Sequence, residues 1–132
     1  MMKYISDRRF KLWAYSIGHG SMIIRSEMQY PDVEYTTKYD PNCTIDIEFW
    51  GVRYLDIKTD FSNLVLSQEL SNIPKRFLSI ISEEDLKVFK LESSNETNYV
   101  VAAGCLVGKS MWTNEDRLHN IDLSYQEELF NI

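Results

Sequence analysis

The chain has 132 residues, of which 44% are hydrophobic, 26% charged and 13% aromatic; this lies close to globular averages and excludes a disordered or low-complexity polymer. That length suits one β-rich domain, residues 1–132, able to build a core without disulfide or metal staples. A formal net charge of −6 argues against nucleic acid and anionic lipid as partners, because such a field repels phosphate.

The acidic surplus is unevenly placed. Residues 1–82 carry ten acidic and ten basic side chains, whereas residues 83–132 carry ten acidic and four basic. An acidic half of this kind speeds encounter with a basic partner, although the same charge also simply keeps a domain soluble. Lys3, Asp7, Arg8 and Arg9 precede any apolar run, so no secretory signal is read there. The longest uncharged apolar stretch, residues 99–108, is about half the roughly 20 residues of a membrane helix. A cytoplasmic protein is expected, with Cys43 and Cys105 as free thiols.

In chain order, residues 10–16 read as a strand with apolar side chains on both faces: Phe10, Leu12 and Ala14 against Trp13 and Tyr15. Gly18 and Gly20 then permit a turn with His19 at its tip, and residues 22–25 resume the strand pattern, which together predict a hairpin. From Ser26 to Cys43 the pattern lapses around Pro31 and Pro41. A long connection with an edge strand at residues 33–37 is expected, and loops of this length are often functional.

The rest of the chain is organised around residues 44–66. Ile45, Ile47 and Phe49 point one way while Asp46, Glu48 and Trp50 point the other, the period-two signature of a half-buried strand. Gly51 breaks the alternation and residues 52–57 resume it, predicting two neighbouring strands that meet at a bend. Residues 63–70 suit a further strand. Residues 75–81 fit strand or helix equally, and Ser82 is placed to cap a short helical turn through the amide of Asp85. Residues 88–92 and 99–107 form a second hairpin across a polar turn. Beyond Lys109 the pattern fits a terminal helix over residues 123–130 or a strand over residues 120–125. The predicted fold is mainly β: an antiparallel barrel or sandwich of about six to eight strands, with one or two short helices.

Few residues carry a chemical signature. Residues 103–110, AGCLVGKS, miss a phosphate-binding loop by one glycine, but their apolar β-prone interior and the absence of a following helix make Gly108-Lys109-Ser110 a strand-ending turn. His19, between two glycines, could serve as a base, since imidazole titrates near neutrality, yet no motif supplies it with an orienting carboxylate. His119 has still less context. Two His and two Cys, all scattered, make no zinc-ligand spacing, so neither metal nor cofactor is expected.

Asp46 and Glu48 share one strand face about 7 Å apart, a spacing open to paired carboxylates, though alternating acids more commonly form a solvated face. Arg25 and Arg53 are expected to complete that polar face by cross-strand pairing. Among the aromatics Trp13, Tyr15, Trp50 and Tyr54, Trp50 falls beside Asp46 and Glu48, and an aromatic bordered by charge suits a binding surface. The plainer alternative is a second layer of packing that covers the face.

Two stretches, residues 12–26 (LWAYSIGHGSMIIRS) and 45–55 (IDIEFWGVRYL), together resemble a type of short bacterial β-rich single-domain protein. Some proteins of that kind are antidotes, or immunity proteins, encoded beside contact-dependent toxins. The resemblance covers the first half of the chain, rests on strand patterning and transfers no functional residue.

The leading expectation is therefore a non-enzymatic acidic interaction protein, of immunity type, that binds and masks a basic protein partner through His19, Asp46, Glu48, Trp50 and Arg53. The rival is a small-molecule-binding β-barrel or an enzyme using His19 in a pocket. Self-association into a homo-oligomer through an exposed sheet edge is a third expectation.

Overall fold

The computed structural model describes residues 2–28 and 42–132. Strands β1 (Lys3–Ser16), β2 (Ser21–Ser26), β3 (Thr44–Trp50), β4 (Tyr54–Asp56) and β5 (Asp60–Gln68) precede helix α1 (Lys75–Glu83). Strands β6 (Lys87–Ser93), β7 (Glu96–Ala102), β8 (Gly104–Ser110) and β9 (Glu127–Asn131) follow it. The fold is mainly β, 55% strand against 8% helix. All pairings are antiparallel, in one sheet ordered β4-β7-β6-β5-β1-β2-β3-β8-β9. That sheet is not closed. The expectation of a barrel is thus corrected, and the described residues hold nine strands and one helix.

Both expected hairpins form, β1–β2 and β6–β7. The edge strand expected at residues 33–37 lies outside the described residues.

The sheet nevertheless folds over on itself. Phe49 on β3 and Phe89 on β6 meet edge to face with ring centroids 5.5 Å apart, although three strands separate them in the sheet order. A flat sheet, with its strands about 4.8 Å apart, would hold them roughly 19 Å apart.

Three bends produce the curl. Strand β1 pairs with β5 through its first part and with β2 through its last, and its register slips between Ser6 and Arg9 and again between Leu12 and Ala14. The ribbon of β3 and β8 continues as β4 and β7 beyond a corner at Gly51 and Ala103. Gly51 has φ +62°, and a Cβ there would stand 2.8 Å from that of Ala103, so both backbone angle and space require glycine. Strands β3 and β4 are therefore successive pieces of one bent strand, not paired neighbours. The run expected over residues 99–107 divides in the same way at Ala103.

Inside the curl lie the inward residues of nearly every strand, among them Phe10, Ile24, Ile47, Phe49, Phe61, Leu66, Phe89 and Val107. Two covers close the outer faces. Over β6 and β7, α1 presents Phe77, Ile80 and Ile81, three and four residues apart, to Val88, Val101, Tyr54 and Tyr99. This settles the ambiguity of residues 75–81 as helix; Ser82 and Glu83 end that helix instead of starting one. Over β2, β3 and β8 lies the segment of residues 111–126, which is neither of the two elements expected at the C-terminus. A regular strand resumes only at Glu127.

Candidate functional site

The outward face of β2 and β3 is polar and yet buried. In the β2–β3 register Arg25 stands opposite Asp46, and the two make a forked pair, Nε to Oδ1 at 2.6 Å and Nη2 to Oδ2 at 2.9 Å. Both side chains have zero exposure. The indole of Trp13, turned outward at the β1 register slip, lies 4.3 Å from the guanidinium, which also donates to the Glu115 carbonyl at 2.7 Å. Two residues further along β3, Glu48 accepts from Arg117 Nε at 3.1 Å and from the Tyr125 hydroxyl at 3.0 Å. Arg117 reaches back to the carbonyls of Ile121 and Leu123 as well. Charge-assisted bonds of this kind are the strong ones, and they hold the covering segment down.

Glycine makes room for the cover. The ring of Tyr125 rests on Gly108, where a Cβ would fall 2.3 Å from it, and packs at 5.0 Å against Trp112. Burial pushes the Asp46 carboxyl above its ordinary value against the opposing pull of Arg25 and Tyr125. Burial, with the carboxylates of Asp46 and Glu48, pushes the Tyr125 phenol far up, so the hydroxyl stays protonated and donates.

The same segment builds a second polar unit. Asp116, 2% exposed, caps a single helical turn by accepting from the backbone amide of His119 at 2.8 Å. Its carboxylate also lies 2.8 Å from Nδ1 of the His119 ring and accepts from Trp13 Nε1 at 3.0 Å. Burial alone would raise Asp116, but the His119 amide and ring and the Trp13 indole outweigh it and hold the carboxyl below its ordinary value. A carboxylate can only accept, so Nδ1 carries the proton and Nε2 faces outward on a side chain that is 80% exposed.

Between the β1–β2 turn and the covering segment runs a cleft of about 420 Å³. Ser16, His19 and Ser21 form one wall, and Glu48, Arg117 and His119 contribute to the other, with Leu118 and Ile121 beside them. Trp50 follows Glu48 on the outward face of β3, outside the lining of the cleft. Its indole is 39% exposed and lies over Gly104.

Of the residues singled out in the sequence, His19 and Glu48 thus line one cleft, and Trp50 lies outside it on the same face of β3. Asp46 lies behind them, sealed by Arg25. Arg53 does not belong to this face: the corner at Gly51 carries it away, and it pairs with Glu84 just beyond α1. Tyr54 packs under that helix against Phe77. Beyond the corner at Ala103, the loop-like residues are the extended strand β8, paired on both sides, so Gly108-Lys109-Ser110 lies within the strand and is not the turn expected there. Sequence reasoning passed over Asp116, Arg117 and Tyr125, and found no context for His119. The one signal was the three-residue spacing of Asp116 and His119, which a capped turn brings together. Among the described residues no group of three or more His, Cys, Asp or Glu side chains converges as metal ligands, and no helix is long and apolar enough to cross a membrane. No protein-family model, curated protein or solved structure matches the chain.

Proposed function

We propose that this chain is a noncatalytic binding protein of the cytoplasm whose face around the β1–β2 turn docks a basic protein partner and masks it, as an immunity-type inhibitor does. The observation that carries this reading is the distribution of committed and uncommitted groups on that face. The carboxylates suited to acid–base work are internally engaged, Asp46 by Arg25 and Glu48 by Arg117 and Tyr125. What reaches solvent around the cleft is two imidazoles, His19 and His119, and apolar side chains, Ile17 at 86% and Ile121 at 69%, with Trp50 partly exposed further along β3. Large apolar anchors bordered by polar groups suit a docking surface, and the chain's charge of −6 favours a basic partner and a fast encounter.

A partner captured on the immobilised protein at low salt, purified and titrated back tests this. Trp50→Ala and Ile17→Ser are each expected to weaken binding about tenfold or more, as interface anchors do, while unfolding midpoints stay unchanged. Unaltered affinity in both variants would remove the docking surface.

A second reading, a small-molecule site using His19 or His119 as a base, is favoured by one feature, the carboxylate-backed imidazole at the cleft. Turnover of a metabolite by the purified protein, lost in His119→Ala or His19→Ala, would establish it over the first.

A further inference from the structure

The buried charges behind the cleft do not balance. Three carboxylates, Asp46, Glu48 and Asp116, face two guanidiniums, Arg25 and Arg117. Four of the five are matched in pairs, Asp46 with Arg25 and Glu48 with Arg117. The odd group is Asp116, which has no lysine or arginine partner among the described residues and is held by the amide and ring of His119 and by the Trp13 indole. Those bonds keep Asp116 ionised, and with no lysine or arginine among the described residues to neutralise it a net negative charge remains behind the His119 ring. The His119 ring, bonded to that carboxylate through Nδ1, lines the cleft. With Nδ1–H turned to Asp116, the lone pair of Nε2 projects outward, and among the described residues it has no partner. With Nδ1–H fixed on Asp116 the ring holds one tautomer and presents Nε2 as an acceptor.

We propose that the cleft receives one cationic side chain, a lysine or arginine of the partner. Its charged head donates to His119 Nε2 and to the Ser16 and Ser21 hydroxyls, while its methylene stem lies against Leu118 and Ile121. This rests on the docking reading above and names the anchor that the docked partner would insert. A long stem with a charged head matches an apolar border beside a polar floor. A transition-metal ion is the competing cation. It is disfavoured because no third ligand converges with the two histidines among the described residues.

The test is a titration of the isotope-labelled protein with N-acetyl-arginine amide and N-acetyl-lysine amide, followed by amide chemical shifts, with N-acetyl-citrulline amide as the uncharged isostere. The expected result is saturable shifts at His19, Ser21, Leu118 and His119, weaker by about tenfold for citrulline and in His119→Ala, the loss that follows from removing a hydrogen bond to a charged group. His119 is exposed, so this variant keeps its fold, which the unperturbed remainder of the spectrum would verify. Equal shifts with citrulline, undiminished binding in His119→Ala, or shifts with zinc ion and none with arginine would overturn the proposal. The docking reading fails separately: a partner whose binding depends on Trp50 and Ile17 but not on His119 removes the anchor and leaves the surface.

Discussion

Arg25 and Asp46 face one another across β2 and β3 with no exposure to solvent, joined by two charged hydrogen bonds of 2.6 and 2.9 Å. A pair so placed is a weak source of net stability but a strong source of order, because either member left alone is a buried charge. Arg25→Met is expected to cost about 3–5 kcal/mol in urea unfolding. Arg25→Met with Asp46→Leu should recover most of that loss. The single variant's deficit should also shrink as pH is lowered, since a carboxyl raised in the folded state is favoured once protonated in both states. A double variant no more stable than the single one would contradict this account of the pair.

Two glycines of β8 make room for aromatic rings, and only one of those rings belongs to the covering segment. Gly108→Ala places a Cβ 2.3 Å from the Tyr125 ring, and that ring cannot move without giving up its bonds to Glu48 and Asp46. A loss of about 1–3 kcal/mol is expected, with faster hydrogen exchange across residues 111–126. Gly104→Ala meets Trp50 just as closely, but that indole is partly exposed and can swing aside. Its cost should be smaller and its exchange pattern near that of the unaltered protein.

Asp116 predicts a pH dependence of definite sign. Its carboxyl is held below its ordinary value in the folded state, so its contribution is present above the unfolded carboxylate value of about 3.9 and is lost as pH falls through the lower folded value. The stability difference between the unaltered protein and Asp116→Asn should therefore be largest near neutrality and narrow in acid. Urea midpoints from neutral pH down to the acid range measure it. A difference that widens on acidification would refute the assignment.

Parts of this arrangement are visible in the sequence. Alternation in residues 45–50 places Asp46 and Glu48 together on the outward face, and Arg25, on a strand of its own, was available to pair with them. Hidden from the sequence was the burial of that face. Its cover, residues 111–126, is held by Arg117, Asp116 and Tyr125 through side-chain and carbonyl bonds, which leave no period in the pattern. Arg53 was assigned to the wrong face because the corner at Gly51 redirects the chain, and alternation cannot be counted across such a bend. Helix α1 was ambiguous because Phe77, Ile80 and Ile81 span little more than one turn. Near-closure of the sheet came from bends at the β1 register slips, Gly51 and Ala103, and of these only the Gly51 bend was marked by composition.

By this proposal an acidic chain, with apolar anchors around its β1–β2 turn, meets a basic molecule and leaves it chemically unchanged. The association rate of the purified partner, measured by stopped flow at ionic strengths from well below to well above physiological, tests it most directly. Steering by opposite charge predicts a rate that falls steeply as salt shortens the screening length from about 30 Å at 0.01 M to 3 Å at 1 M, with a recovered partner of unaltered mass. A rate indifferent to salt, or a partner recovered covalently changed, would contradict it.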